Sequence, residues 1–280
     1  MPPADYNSTN SLPHHPTTAP HLPVRLAAVA DLHYNRAAQG TLLPLFEQAG
    51  RIADALLLAG DLTDCGLPDE AAALAHDLKT VKVPVVAVLG NHDFEAGRPT
   101  EVADILRNAG VTVLDGDAIE IRGVGIGGVK GFLGGFGRGT LEAWGEPAVK
   151  AVVQATMDEV LKLEKALARL RTPQRVALLH YAPVRGTVEG EPVEIHAFMG
   201  CGRFEEPLNR YGVHAVVHGH AHRGSAEGKT SAGIPVYNVA LPLLRRERPD
   251  GPALRVIELA VRLESKPVDT SSLALGGRPK

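Results

Sequence analysis

The sequence predicts an α/β domain built on a layered, mixed sheet. Three observations carry this. Short, near-continuous apolar runs occur at Leu26–Ala30, Ala55–Ala59, Val85–Leu89, Val176–Leu179 and Ala215–Val217, the pattern of strands buried on both faces. Stretches with helical periodicity separate most of them. From Val111 to Val129 the chain reads instead as strands joined by Gly and Asp turns.

The helices are predicted near Thr41–Ala53, Pro68–Lys79, Pro99–Asn108 and Pro147–Arg171. In the last of these, Val149, Val152, Val153, Met157, Val160, Leu163, Leu167 and Leu170 fall on one stripe at helical spacing. Pro147 suits a first turn and Pro173 a stop. That stripe is core and carries no functional implication. Two further strands are expected at Val236–Val239 and Leu254–Leu259.

Residues 1–23, rich in Pro, Thr, Ser, Asn and His, are expected to form a disordered arm, and residues 265–280 a polar C-terminal tail. The folded domain is expected over 24–264. The 280 residues are 44% hydrophobic and 22% charged, enough to build a full core. The formal net charge of -3 gives no basic signature of a nucleic-acid or membrane-surface protein. The two cysteines, Cys65 and Cys201, make no disulfide framework. With no apolar run near the roughly 18 residues of a membrane span, and no basic and apolar leader, a cytoplasmic location is expected.

Each of the five apolar runs ends in residues that bind metals. They are followed in turn by Asp31-Leu32-His33, by Gly60-Asp61-Leu62-Thr63-Asp64, by Gly90-Asn91-His92-Asp93, by His180, and by His218-Gly219-His220-Ala221-His222. Sites in α/β proteins form beyond the carboxyl ends of strands, so five strands of one sheet would deliver these groups to one edge. Asp31 and His33, two apart, would project to the same side of an extended strand end, as would His220 and His222. Gly60, Gly90 and Gly219 are expected to allow sharp turns out of the strands. The donors are carboxylates, imidazoles and one amide, with no cysteine among them, which disfavours a structural thiolate zinc site. They are too many for one ion and suit two.

The series Asp31-x-His33, Gly60-Asp61-x-x-Asp64, Gly90-Asn91-His92-Asp93, His180 and Gly219-His220-x-His222 resembles the calcineurin-like metallophosphoesterase superfamily, in matching order over residues 31–222. The resemblance implies a two-sheet β-sandwich flanked by helices, with a dinuclear metal site at the carboxyl ends of the strands. It implies one metal held by Asp31, His33, Asp61 and His222, and a second held by Asp61, Asn91, His180 and His220, with Asp61 bridging. It makes His92 the non-ligand histidine facing substrate, oriented by Asp64. The ions would be manganese, iron or zinc. A carboxylate bridge between two dications, a water acidified by them and an imidazole to protonate the leaving oxygen together suit phosphate ester hydrolysis.

Asp93 is expected to support its loop. The nine-glycine stretch from Gly123 to Gly139 lacks a Gly-Lys-Ser/Thr signature. It reads as a loop at the rim of the site or as close backbone packing. Arg98, Arg138 and Arg223 are candidate phosphate contacts. Residues 184–210 are expected to cover the metals, with His196 a loop residue, and His214 to be a core histidine.

The expected activity is hydrolysis of phosphodiesters of cyclic-nucleotide or nucleotide-like substrates, because no long capping insertion interrupts the motifs. The expected partner is a small phosphorylated molecule, with no membrane and no obligate nucleic acid. A phosphomonoesterase of the protein Ser/Thr phosphatase kind is the alternative. Thr63 and Cys65 depart from its Gly-Asp-x-Val-Asp-Arg-Gly motif, and Asp93 from its Gly-Asn-His-Glu. A non-catalytic scaffold would be expected to have lost ligands, and none is missing here.

Overall fold

The structure, a computed structural model, describes residues 21–262. The arm and tail expected at the two ends lie outside the described residues, except that the first strand takes in residues 21–23 of the arm. Two sheets form the centre. The first has five strands in the order β11-β1-β2-β3-β4: β1 is His21–Val29, β2 Ala55–Ala59, β3 Val85–Val88, β4 Thr112–Val113 and β11 Arg255–Arg262. The second has six in the order β5-β6-β7-β8-β10-β9: β5 is Asp117–Ile121, β6 Val124–Gly128, β7 Gln174–Leu178, β8 Ala215–His218, β9 Glu227–Lys229 and β10 Pro235–Asn238. The helices are α1 Leu43–Ile52, α2 Pro68–Leu78, α3 Pro99–Asn108, α4 Pro147–Arg169, α5 His196–Met199, α6 Glu205–Arg210 and α7 Leu241–Glu247.

The sheets pack as a sandwich, and alternation along the strands shows how. Val176 and Leu178 of β7 and Val217 of β8 join one buried cluster with the strands of the first sheet. Their sequence neighbours Ala177 and Val216 join a second cluster with Leu163 and Leu167 of α4 and Leu208 of α6. Successive side chains of a strand point to opposite faces, so the second sheet lies between the first sheet and the α4–α6 layer. Helices α1, α2 and α3 cover the far face of the first sheet through Phe46, Leu74 and Leu106, all fully buried. Helices α1, α2, α3, α4 and α7 each carry Pro in the first turn, where its missing N–H costs nothing and its fixed φ fits. The α4 stripe is buried from Val153 to Leu167, while Val149, Val152 and Met157 are only half-buried.

What matters for the site is register. Strands β1, β2 and β3 run parallel, from Leu26 opposite Ala55 to Val29 opposite Leu58, and from Leu56 opposite Val85 to Ala59 opposite Val88. In the second sheet β7 and β8 run parallel, with Leu178 opposite Val217. The five motif-bearing strands therefore come from two sheets, three from one and two from the other, rather than from a single sheet as the strand pattern alone suggested.

The glycine stretch divides. Its first part is strand β6, at the heart of the second sheet. A Cβ at Gly125 would lie 2.6 Å from Leu170, one at Gly127 3.2 Å from Leu167, and one at Gly128 2.9 Å from both Leu114 and Val88. There glycine is close packing. Gly123 lies in the turn before β6, and the part after Gly128 is loop with one 3-10 turn at Gly137–Gly139.

Candidate metal centre

The chain does not leave the strands extended, as the two-residue spacing of the motifs implied. It turns immediately into left-handed conformations. Outside glycine, positive φ occurs among the described residues at Asp31 (57°), His33 (42°), Asp61 (46°), Arg122 (50°) and His220 (70°). Each costs about 1–2 kcal/mol for an L-residue. Four of the five are expected metal ligands, so the backbone strain is concentrated at the site. Hydrogen bonds between loops hold it: Asp31 N donates to Gly60 O (3.0 Å), His33 N to Asp61 O (3.1 Å) and Tyr34 N to Leu62 O (3.0 Å).

The glycines of the motifs serve mainly by absence of a side chain. A Cβ at Gly90 would lie 2.1 Å from Asp61 Oδ1, one at Gly60 2.4 Å from His180 Nδ1, and one at Gly219 2.5 Å from Asp31 Oδ2. Of the three, only Gly60 also has positive φ, at 86°.

These turns gather the donors into two adjoining groups. Asp31, His33 and His222 form one, and Asp61, His180 and His220 the other, each with its donor atoms within 4.8 Å of one another. Asp61 joins them, with Oδ1 3.3 Å from His180 Nε2 and Oδ2 3.9 Å from His33 Nε2. His222 Nε2 lies 3.0 Å from Asp31 Oδ1, and His180 Nε2 lies 2.9 Å from Asn91 Oδ1. Asp31 and Asp61 are buried to 2% and 1% exposure.

The chemistry of this set fits cations. In the tautomer whose Nδ1 donates to the Ala59 carbonyl (3.0 Å), the His180 Nε2 lone pair faces Asn91 Oδ1 and Asp61 Oδ1. Acceptor atoms thus converge on one another. His33 Nε2 is buried and has no hydrogen-bond partner. A buried polar atom without a partner is costly, and a metal ion would satisfy both features. The shifts of His220, His33 and Asp31 agree with ligand roles, whereas the Asp31 hydrogen bond raises the pKa of His222. Burial pushes the His220 imidazole down to about 3, helped by neighbouring His180. Burial also lowers His33, against the pull of Asp61 and Asp31. Burial alone would raise Asp31, yet the His222 hydrogen bond and the surrounding imidazoles hold it below the usual carboxylate range.

His92 stands beside this centre, its ring centroid 4.4 Å from that of His33. Its backbone N donates to Asp61 Oδ1 (2.9 Å), and its Nδ1 donates to the backbone carbonyl of Asp64 (2.7 Å). The expected orienting contact from the Asp64 side chain is not what forms: that carboxylate faces His33 Nδ1 at 3.6 Å and Asn35 Nδ2 at 3.4 Å. The physical reason is the tight turn after Asp61, which aims the carbonyl of residue 64, not its side chain, at His92. Burial lowers the His92 pKa, but the Asp64 carbonyl and the charges of Asp61 and Glu95 outweigh it and raise it overall. Asp93, fully buried, ties two loops together by accepting from Gly90 N (2.7 Å), Thr63 N (2.8 Å), Thr63 Oγ1 (2.6 Å) and Leu62 N (3.2 Å).

The His220–His222 turn is fixed from below by Asn238, whose Nδ2 donates to Ala221 O at 2.7 Å. Beneath it, His218 Nδ1 donates to Gly219 O (2.7 Å) and Nε2 meets the Thr187 hydroxyl (2.8 Å). Residues 184–210 reach the site through the Phe198 carbonyl, 3.2 Å from His220 Nε2. His196 opens the one-turn helix α5 rather than lying in a loop, and its Nε2 meets the Glu191 carbonyl. His214 is exposed rather than in the core, because it precedes β8 and only its Nδ1 is used, accepting from Arg175 N.

The three arginines read as phosphate contacts are dispersed. Arg98 pairs with Glu101 at 2.5 Å at the start of α3. Arg138 lines a surface pocket with Arg185 and His196. Arg223, next to His222, is exposed. Lys130 falls in the glycine stretch expected at the rim of the site, while Phe94 and Tyr181 carry no expectation from the sequence. Tyr181 lies with its ring centroid 4.5 Å from that of His220, and Lys130 Nζ lies 5.1 Å from the Tyr181 ring. The adjacency of Phe94 to His92 and of Tyr181 to His180 was the available signal.

His218 gives a pH prediction. Burial pushes its imidazole down to about 4, whereas the unfolded chain protonates near the ordinary 6.5. Between those values the unfolded state binds more protons, so stability is full above about 6.5 and falls as pH drops toward 4. From pH 7 to pH 5 the share of His218 is about 2 kcal/mol. Urea unfolding of the chelator-treated protein at both pH values should show this loss, with a smaller one in His218→Gln. An identical loss in the variant would show that His218 is not responsible.

Two mixed sheets flanked by helices, with buried carboxylates and imidazoles converging at the strand ends, define the class of metal-dependent phosphoesterases. The family model for the calcineurin-like phosphoesterase matches residues 24–224, and the chain belongs to that family. Among solved structures, phosphopantetheinyl hydrolase from Mycobacterium tuberculosis has a similar fold, with TM-score 0.60 and 17% identity over 86% of this chain and 96% of that one. A protein from Thermus thermophilus aligns with TM-score 0.49 and 15% identity over 85% of this chain and 99% of that one. Among curated proteins no sequence matches this chain significantly.

Proposed function

We propose that this metal-dependent phosphoesterase hydrolyses small phosphodiesters of nucleotide type. The observation that carries the reading is the meeting of two donor groups at Asp61 with His92 beside them. In this reading Asp31, His33, Asp61 and His222 hold one ion, and Asp61, Asn91, His180 and His220 hold the other. Bound there, two transition-metal ions such as manganese, iron or zinc supply a water that ionises near neutral pH and neutralise the non-bridging phosphate oxygens.

The remaining work falls to the chain. Asp93 keeps the loops of Asp61 and Asn91 in fixed relation. His92, with Nδ1 donating to the Asp64 carbonyl, holds its transferable proton at Nε2 and gives it to the leaving oxygen. The Asp64 carboxylate steadies His33. A cytoplasmic place of action belongs to this reading and accords with both cysteines being free. Among the described residues no helix is long and apolar enough to cross a membrane.

Diesters are preferred to monoesters in this reading for two reasons. No capping domain stands between the motifs, and Cys65 occupies the place where protein phosphatases of this fold carry a phosphate-binding arginine. With the manganese-loaded enzyme, bis-p-nitrophenyl phosphate should be turned over faster than p-nitrophenyl phosphate, by about tenfold in kcat/KM, the worth of one charged hydrogen bond. A clear preference for the monoester would favour the phosphomonoesterase alternative.

A further inference from the structure

Beside the metal centre lies a cavity of about 230 Å³ whose walls include Leu89, Phe94, Pro99, Ala103, Leu114 and Lys130. It is built from the same segments as the site. Leu89 immediately precedes Gly90-Asn91, and Phe94 closes the short turn begun by His92. The Lys130 carbonyl accepts the N–H of His180 (3.0 Å) and of Tyr181 (3.1 Å). The cavity is therefore joined to the site through the segments that carry Asn91, His92 and His180.

Its chemistry is selective. The walls are chiefly apolar, and Phe94 among them is 42% exposed, which leaves the residue open in part to a planar partner. At the end toward the metals, Lys130 Nζ sits 4.5 Å from the Phe132 ring, 5.1 Å from Tyr181 and 5.4 Å from Phe94. Among the described residues its side chain donates to the Gly131 carbonyl alone (2.9 Å), which leaves donors for a ligand, while burial lowers its pKa. Thr100, at the lining, offers a hydroxyl to ring substituents, whereas Asp115 there accepts from Lys162 Nζ (2.9 and 3.1 Å) and Arg107 donates to Asp104 and to the Val113 carbonyl. Drug-sized ligands occupy about 300–1,000 Å³, so this space suits one heterocycle.

We propose that the cavity binds the base of a nucleoside whose sugar oxygen is the leaving group, with Phe94 stacking on the base and Lys130 placed between base and phosphate. The inference rests on the phosphodiester reading above and names the substrate class it serves: nucleotide esters.

The test compares adenosine 2′,3′-cyclic phosphate with ethylene phosphate, a cyclic diester that lacks the base, in wild type, Phe94→Ala and Thr100→Trp. Adenosine is also titrated calorimetrically into each metal-free protein, a readout that needs no chemistry. Wild type should favour the adenosine ester in kcat/KM, and both variants should lower that ratio by about tenfold, the order expected for one lost stacking contact. Adenosine should bind wild type and bind both variants more weakly. A ratio unchanged in both variants, or no adenosine binding to wild type, overturns the proposal. Adenosine binding that weakens in the variants while neither diester is hydrolysed would sustain the cavity assignment and overturn the phosphodiester reading instead.

Discussion

Asp61→Ala is expected to lose both metal ions and to lower turnover by about 10³-fold or more, the scale of removing the electrostatic centre of a site. Its two carboxylate oxygens face different imidazoles, Oδ1 toward His180 and Oδ2 toward His33. The same Oδ1 accepts the His92 backbone N–H. Asp31 meets the His222 side chain and the His220 backbone N–H, and the Asn91 side chain meets His180; each supplies a ligand to one ion in this assignment, so Asp31→Ala and Asn91→Ala should each weaken one ion chiefly. Because a buried truncation can disturb folding, Asp61→Asn serves as a second variant. It keeps the shape and the His92 contact while removing the charge, and should also bind less than the full metal complement. Elemental analysis with circular dichroism on each variant decides. Asp61→Ala retaining both ions while either other variant loses them would contradict the assignment.

His92→Ala is expected to retain both ions and to lose rate in proportion to the basicity of the leaving group. The imidazole is assigned to neither ion, although His33, Asp61 and His92 also bring their donor atoms within 4.8 Å of one another. With Nδ1 occupied by the Asp64 carbonyl, Nε2 is the atom that can deliver a proton. General acid catalysis is worth about 10²–10⁴ in rate. A sugar oxygen needs the proton and should lose most of that. A nitrophenolate leaves without it and should lose little. The measurement is the ratio of variant to wild-type kcat/KM on both kinds of ester, at equal metal content. Equal losses would move His92 from proton donation to holding the phosphate.

The five strand runs and the polar residues that follow each were readable from sequence because buried parallel strands are continuously apolar and end abruptly. The α1–α4 boundaries fell within about two residues, since Pro marks each start. Other features were less legible. That the strands divide between two sheets depends on pairing across the fold, which local pattern does not encode; only the family resemblance implied it. The left-handed turns at Asp31, His33, Asp61 and His220 are uncommon for any residue with a side chain, although Asp and His adopt them more readily than most, and hydrogen bonds between loops hold them. The Asp64 contact was assigned to the side chain because sequence shows side chains and not carbonyls. Short helices such as α6 and α7 offer too few turns for periodicity to register. Lys130 was hidden in a glycine stretch, and its partners Phe94, Phe132 and Tyr181 come from three separate segments.

The dinuclear assignment is tested most directly by titrating the chelator-treated wild-type enzyme with manganese while measuring diester hydrolysis and bound metal per chain. Activity should rise until two equivalents are bound, and the melting temperature should rise with it, since ions that bind only the folded state stabilise it. Full activity at a ceiling of one equivalent, or hydrolysis unaffected by chelation, would contradict the account.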